Sequence, residues 1–432
     1  MSRVWRSRSA LVALAVMLVA AAVLAVTRSA PTSVLPARAA IRDALRNQAV
    51  NQALAGTRWS SASASPLASQ LERVTFSAGG QQVAQAAVRP DGTVDEVEAL
   101  AHDRVPYGDW IAYEPAVLAA LAVLFVLMAG VAPWRRLRNL DVLATLSLVL
   151  PVLLLERGYL SGSVLGALPG LAYLLLRCAW RGFARAPEPS PSTALFDLVT
   201  RRWEPGRRVR VLRLLLAALA IVFFMVGVSS PNAIDVAYAA MEGATRIIHG
   251  VLPYGHMPGD VIHGDTYPIL SYALYVPVAW LAPVESVFSS VDGALAVAVL
   301  GALAVAVALY RGVAGPRPPQ RRRPPSAETA GLRAGLAWLS FPPVLIIAST
   351  GTTDVVLAAM LAFAVLLWRR PAASMAVLAV AGWFKLSPFA LVPLWLAPLR
   401  GPRLLAAIAA FVGVSAAALG LVVALGGAGG PA

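Results

Sequence analysis

The chain is short of the side chains on which soluble, metal-binding and nucleotide-handling proteins rely. It has one cysteine, Cys178, in 432 residues, which excludes an internal disulfide and any cysteine metal site. Only 13% of its residues are charged. Lysine occurs once, at Lys385, so arginine supplies almost all of the 36 basic residues. Histidine occurs four times, never in an HExxH pattern and without thiolate support, so no zinc site is indicated. No glycine-rich nucleotide fingerprint is present either.

Apolar residues fill the space that these absences leave. The chain is 58% hydrophobic with a mean hydropathy of +0.70, the composition of a polytopic membrane protein. At roughly 20 apolar residues per span, about 10–11 transmembrane helices can be marked. The net charge of +14 sits in arginine clusters between apolar runs, where it orients spans through the positive-inside rule. Those arginines form no patch interleaved with aromatics, so nucleic acid is not an expected partner.

In order, Arg3, Arg6 and Arg8 precede an apolar run at 10–26. This predicts a transmembrane anchor over 1–27 with its N-terminus inside, the run being longer than the ~7–15 residues of a signal-peptide core. Residues 28–113 are the one soluble-looking part. ARAAIRDALRNQAVNQALAG has helical periodicity, and RVTFSAGGQQVAQAAVRPDGTVDEVEAL reads as short strands with a turn at Pro90-Asp91-Gly92. A small α+β extracytoplasmic domain is expected there, as a scaffold or a surface for a protein partner, with His102 as an ordinary surface histidine. Three helices over 114–177 and a cytoplasmic, arginine-rich linker over 178–210 containing APEPSPS lead to a second membrane module, 211–432.

That module is arranged around one long polar insert, the outer loop at 230–267. It holds His249, His256 and His263 together with Asp235, Glu242, Arg246, Asp260 and Asp265. Asp235, Tyr238, Glu242, Arg246 and His249 fall at offsets 0, 3, 7, 11 and 14, one polar stripe at helical spacing, with Ile234, Ala237, Met241, Ile247 and Ile248 largely off it. The pattern predicts an amphipathic helix lying flat on a bilayer surface and stopping at Gly250. Hydrogen bonding to phosphate or sugar hydroxyls is the expected use of its histidines. Asp265 also reads as a turn cap, and Asp235 as a carboxylate favoured at a helix N-terminus.

Beyond the loop, the arginines at 311–333 would face outside if every apolar run crossed. Reading 268–283, with Pro277 and the aromatics Tyr272, Tyr275 and Trp280, as a re-entrant or interfacial segment restores the positive-inside pattern. The C-terminus then lies outside, and Asp354 and Lys385 fall near the outer ends of their spans. A membrane-embedded lysine costs about 2.5–3.5 kcal/mol on insertion scales and calls for a partner or ligand. Two readings follow: a structural Asp354–Lys385 ion pair, or a site for an anionic lipid headgroup.

The order of these motifs carries a resemblance. IDVAY, GVLPYG, TYPILSYALYVPVAWL, SFPPVLIIASTGTTD and AVAGWFKLSPFALVPLWL, over about 210–399, resemble the core of GT-C membrane glycosyltransferases. Among these, the polyprenyl-phosphate-mannose-dependent enzymes of glycosyltransferase family 87 are the most similar. The chain has Tyr267-Pro268-Ile269 where the family often shows Tyr-Pro-Pro, and Thr352 and Thr353 near a position where it often has Gln. The resemblance implies an all-α polytopic GT-C-like fold at the plasma membrane with its active site outside. It implies inverting sugar transfer, usually without a nucleotide sugar, from a polyprenyl-phosphate donor to a glycolipid or glycan acceptor; no cofactor is expected, and a divalent metal is not indicated by the residues. An acidic residue of the first outer loop takes the acceptor proton there; carried over, this is Asp235, with Asp265 as the alternative. Arg246, His249 and Lys385 become candidates for the leaving phosphate, and Glu242, Tyr254, His256, His263, Tyr267 and Asp354 candidates for substrate contacts. Two rival classes are a lipid-linked-sugar transporter, which wants polar residues through several spans, and a non-catalytic scaffold acting through 28–113.

The re-entrant reading is open to a direct check. Single cysteines placed at 316–325 in a Cys178→Ser background are expected to resist a membrane-impermeant maleimide in intact cells and to react once the cells are permeabilised. Labelling of intact cells overturns that topology.

Overall fold

The computed structural model describes residues 35–55, 58–67, 71–78, 81–99, 111–156, 160–183, 193–230, 234–257, 264–284, 291–315 and 325–428. The anchor at 1–27, His102, Asp260, His263 and the arginines at 317–323 lie outside them. The chain divides into two compact units, Met1–Val211 with Ser340–Pro343, and Leu212–Leu339 with Val344–Ala432.

The first unit opens with helices α1 (Ala37–Arg46) and α2 (Gln48–Leu54). The expected continuous helical stretch is broken at Asn47. Its side-chain oxygen accepts from Ala49 N at 2.8 Å and Val50 N at 3.4 Å, which ends one helix and caps the next. Strands β1 (Ser61–Leu67), β2 (Leu71–Ala78), β3 (Gln81–Val88) and β4 (Val94–Ala99) form an antiparallel meander in that order. Between β3 and β4, Gly92 takes φ +84°. Asp91 accepts from Thr93 Oγ1 at 2.6 Å and Thr93 N at 2.9 Å, and these bonds hold its carboxyl below the usual carboxylate range. The helices close one sheet face by packing Ala40, Ala44, Val50 and Leu54 on Val74, Phe76, Ala84 and Val88. β1, SASASPL, has no β-branched or aromatic residue. It is a strand because it pairs with β2 from Ser61↔Ser77 to Leu67↔Leu71, context overriding a weak propensity.

The same unit continues through α3 (Pro115–Ala129), β5 (Val131–Ala132), α4 (Leu137–Leu146), α5 (Val149–Glu156), α6 (Leu160–Phe183), β6 (Thr193–Ala194) and α7 (Leu195–Val199), with β5 paired to β6. Asp141 on α4 is satisfied from α6 by Tyr173 Oη at 3.0 Å and Arg177 Nε at 3.1 Å.

The second unit contains most of α8 (Pro205–Val228), then α9 (Asp235–Ile248), α10 (Leu270–Ala273), α11 (Val276–Leu281), α12 (Asp292–Ala314), α13 (Pro325–Leu339), α14 (Pro342–Ser349), α15 (Asp354–Leu366), α16 (Pro371–Phe384), a 3₁₀ turn at Ser387–Leu391, α17 (Val392–Leu396) and α18 (Gly401–Ala428). Among the described residues five helical stretches are long and apolar enough to cross a membrane: Leu137–Leu155, Gly162–Trp180, Pro205–Val228, Asp292–Ala314 and Gly401–Gly427. A sixth is the pair α13 and α14, bent by 56°. The protein is therefore a polytopic, mainly helical membrane protein with a small sheet region. Among the described residues α3, α15, α16 and Ser387–Leu396 are further apolar helices of 10–17 residues, and the expected first span at 1–27 lies outside the described residues. The stretch at 268–283 is two short helices, α10 and α11, neither of which reaches across a bilayer.

Lipid gives helices no hydrophobic reason to associate, so close contact between small residues does the work. A Cβ on Gly335 would sit 3.1 Å from the Ala306 carbonyl, and one on Gly301 3.2 Å from the backbone of Val355 and Val356. The same device corrects the expectation for α9, which does not lie flat on a surface. Every residue from Ala237 to Thr245 is buried. The small side chains Ala237, Ala239, Ala240 and Ala244 let α10, α11 and α12 close over it, and Gly243 leaves room for the Tyr272 ring, which a Cβ there would approach to 2.2 Å.

Gly243→Ala is expected to lower the thermal unfolding midpoint in detergent by the equivalent of about 1–3 kcal/mol, the cost of overpacking. Gly413→Ala on α18, which meets nothing within 4 Å, is expected to leave the midpoint unchanged or raise it.

Candidate glycosyl-transfer site

Asp235 is the first residue of α9. The residue before it, Ile234, donates its N–H to the Thr350 carbonyl at 2.9 Å. Gly351, with φ +71°, lies so close that a Cβ there would be 2.9 Å from Ala237 Cβ. The turn SerThrGlyThrThr at 349–353 is thus laid against the first turn of α9, with Ser349, Thr350, Thr352 and Thr353 all buried. Thr352 Oγ1 reaches Asp354 Oδ2 at 3.3 Å, and the other carboxylate oxygen of Asp354 holds the ammonium of Lys385. The ion pair expected between these two residues is therefore present. Asp354 starts α15 and Lys385 ends α16, so a helical hairpin brings them together from 31 residues apart.

From Lys385 the connections run back to the polar loop. Ser271 on α10 donates to the carbonyl of Phe384, the neighbour of Lys385. Tyr272 beside it accepts from Tyr267 N at 3.2 Å and donates to the Gly264 carbonyl at 2.5 Å. Tyr254 donates to the Tyr267 carbonyl at 3.0 Å and meets the Tyr272 ring edge-on, with centroids 6.1 Å apart. Burial pushes the Tyr254 phenol above its ordinary value, so it stays a neutral donor. Asp265, next to Gly264, is exposed on the turn, and His256 is exposed with Nδ1 3.0 Å from the Tyr254 carbonyl.

The remaining members of the expected set sit elsewhere. Glu242 is buried, with only 7% of its side chain exposed, and takes Nε and Nη2 of Arg246 on one oxygen, each at 3.0 Å. His249 closes the far end of α9 and is exposed. At 1.5 Å per residue, Arg246 and His249 lie roughly 16 and 21 Å along the axis from Asp235, too far to serve one reacting bond with it. The polar stripe was legible; its division between two ends was not. His263 lies outside the described residues. Thr350 and Ser271 join the site unannounced by the sequence, because a hydroxyl in an apolar run has no pattern of its own. Among the described residues no three His, Cys, Asp or Glu side chains converge as metal ligands would.

Lys385 and Asp354 are part-exposed, at 39% and 55% of their side chains. Such a pair contributes at most about 1 kcal/mol to the fold. An ammonium held in place at so small a cost can exchange its partner for a phosphate oxygen.

Residues 266–428 match the family model "Glycosyltransferase family 87". The matched segment starts and ends later than the 210–399 of the motif resemblance; it takes in Tyr267, Asp354 and Lys385, and leaves α9 and Asp265 outside. No curated protein and no solved structure matches the chain. The matched segment runs from the short helices α10 and α11 through the Asp354–Lys385 hairpin to α18, so the C-terminal part of this polytopic helical membrane protein is similar to glycosyltransferase family 87.

Proposed function

We propose that the protein transfers a hexose such as mannose from a polyprenyl-phosphate donor to a lipid or glycan acceptor at the outer face of the cytoplasmic membrane, with inversion. The observation that carries the reading is the backbone link between the start of α9 and the turn leading into Asp354 and Lys385. It ties the start of α9, whose first residue is Asp235, to the turn that leads into Asp354, the partner of Lys385.

In this reading Asp235 takes the proton of the acceptor hydroxyl. The freed oxygen attacks the anomeric carbon, and the bond from that carbon to the phosphate oxygen breaks with its electron pair going to the polyprenyl phosphate. Lys385 leaves Asp354 to meet the charge developing on the departing phosphate, the role for which a fixed cation is suited. A positioned base contributes about 10²–10⁴-fold. Buried Thr352 and Thr353 line the same turn and supply hydroxyls for the sugar. Arg246 and His249, far along α9, are not part of the reacting centre. Asp265 is the alternative base, because Gly264, Tyr272, Ser271 and Phe384 connect its turn to Lys385. The α+β domain at 28–113 serves as a surface for a protein partner.

With labelled polyprenyl-phosphate-mannose and membrane lipid acceptors, Asp235→Asn at matched expression is expected to lose at least about 100-fold in transfer. Full transfer by that variant, with loss in Asp265→Asn, moves the base to Asp265; no transfer by the wild type overturns the donor.

Lys385→Met separates binding from folding. The apparent KM for the donor is expected to rise several-fold, while the thermal midpoint moves by the equivalent of less than about 1 kcal/mol. An unchanged KM removes Lys385 from the phosphate.

A further inference from the structure

The hairpin of α15 and α16 has a second charged end, about 20 Å from Lys385 by the length of its helices. There the start of α16 and the start of α18 lie side by side and border an open, shallow groove of about 400 Å³. Arg370 and Arg403 stand on its rim, and Pro371, Ala373, Pro402 and Ala406 form a floor without polar side chains. Neither arginine has a carboxylate partner among the described residues. Two exposed arginines at the margin of one apolar groove are explained by an occupant with an anionic head and an apolar body.

An independent observation sets the level of this groove. Trp368 and Trp395 meet edge-on beside it, with ring centroids 5.0 Å apart, and Trp368 remains 45% exposed. Trp395 is held by its Nε1–H on Ser374 Oγ at 2.8 Å, and Ser374 by the Ala364 carbonyl at 2.6 Å. Tryptophans fixed at the end of apolar helices are the mark of the headgroup layer. The first-turn N–H groups of α16 and α18, both long helices, add positive potential at the same place.

We propose that this groove is a binding site for an anionic phospholipid. The phosphate sits between Arg370 and Arg403, and the chain runs down over Pro371, Ala373 and Ala406. The site is separate from the donor phosphate at Lys385 and does not depend on the transfer reaction assigned above. A diester phosphate with a net negative charge is favoured there over a zwitterionic headgroup, whose ammonium would face the same two arginines.

The test uses the full-length protein in neutral detergent, titrated with phosphatidylglycerol, phosphatidylcholine or inorganic phosphate and followed by native mass spectrometry. One retained phosphatidylglycerol is expected, held several-fold better than phosphatidylcholine. Arg370→Gln and Arg403→Gln are each expected to lower retention about 5-fold, since one basic residue near an anionic lipid surface contributes about 1 kcal/mol. The corresponding lysine variants are expected to keep most of the binding. Ala406→Phe, which fills the exposed floor and leaves both arginines in place, is expected to expel the lipid and decides the matter if a glutamine variant fails to fold. Equal retention in wild type and glutamine variants overturns the proposal. So does equal binding of phosphatidylcholine, or displacement of the lipid by inorganic phosphate at matched concentration.

Discussion

The packing of α9 is the constraint on which the second unit depends. It puts Tyr238, Glu242 and Arg246 into apolar surroundings, where an unsatisfied polar group is expensive. Two features make that tolerable. Alanines and Gly243 remove side-chain bulk so that α10, α11 and α12 can approach closely, and Glu242 with Arg246 satisfy each other one turn apart. Once the helix is fixed, contacts leave it at one place and return at another. They run from Ile234 to Thr350, through Asp354 and Lys385 to Phe384, on to Ser271, and back from Tyr272 onto Gly243. A ring closed in this way places a carboxylate, a row of hydroxyls and an ammonium by backbone and helix ends rather than by long flexible side chains, which is what a site needs for accurate orientation.

The hairpin of α15 and α16 ties this ring to the opposite end of the unit. Its helices have 13 and 14 residues, about 20 Å of length at 1.5 Å per residue, against about 30 Å of hydrocarbon. A span this short between charged ends is accommodated by local thinning of the bilayer. In the roles proposed for Lys385 and Arg370, such thinning would bring a headgroup layer toward each end of the hairpin. Asp354 and Lys385 at one end, and Arg370, Arg403 and Trp368 at the other, are all at least part-exposed. One element thus carries both of the anion sites proposed above.

Small glycines set this geometry as firmly as the charged residues do. Gly301 brings the backbone of α12 against that of α15, and Gly335 brings α13 against α12. Packing of this kind resists the insertion of even one methyl group, so the second unit transmits the position of α9 to the hairpin without slack.

Much of this was present in the residues. Composition alone determined a polytopic helical membrane protein, because a chain this apolar with this few charges has no soluble solution. Local patterns determined the helix that begins at Asp235, its stop before Gly250 with φ +73°, and the turn at Asp91 and Gly92. The positions of arginines favoured a re-entrant reading of 268–283, where the structure has two short helices, and the lone lysine at the end of an apolar run marked itself by its cost. Tertiary structure decided the rest. It buried the polar stripe of α9 instead of leaving it on a surface, made a strand of SASASPL, split a helix at Asn47, and brought Asp354 to Lys385 across 31 residues. Periodicity reports which face of a helix is polar and is silent on what covers that face. In a membrane the silence is deeper, since Leu175 and Val423, both over 70% exposed, are as apolar as any core residue. Hydrophobicity cannot there distinguish the side that meets lipid from the side that meets protein; only the fit of one helix against another does so.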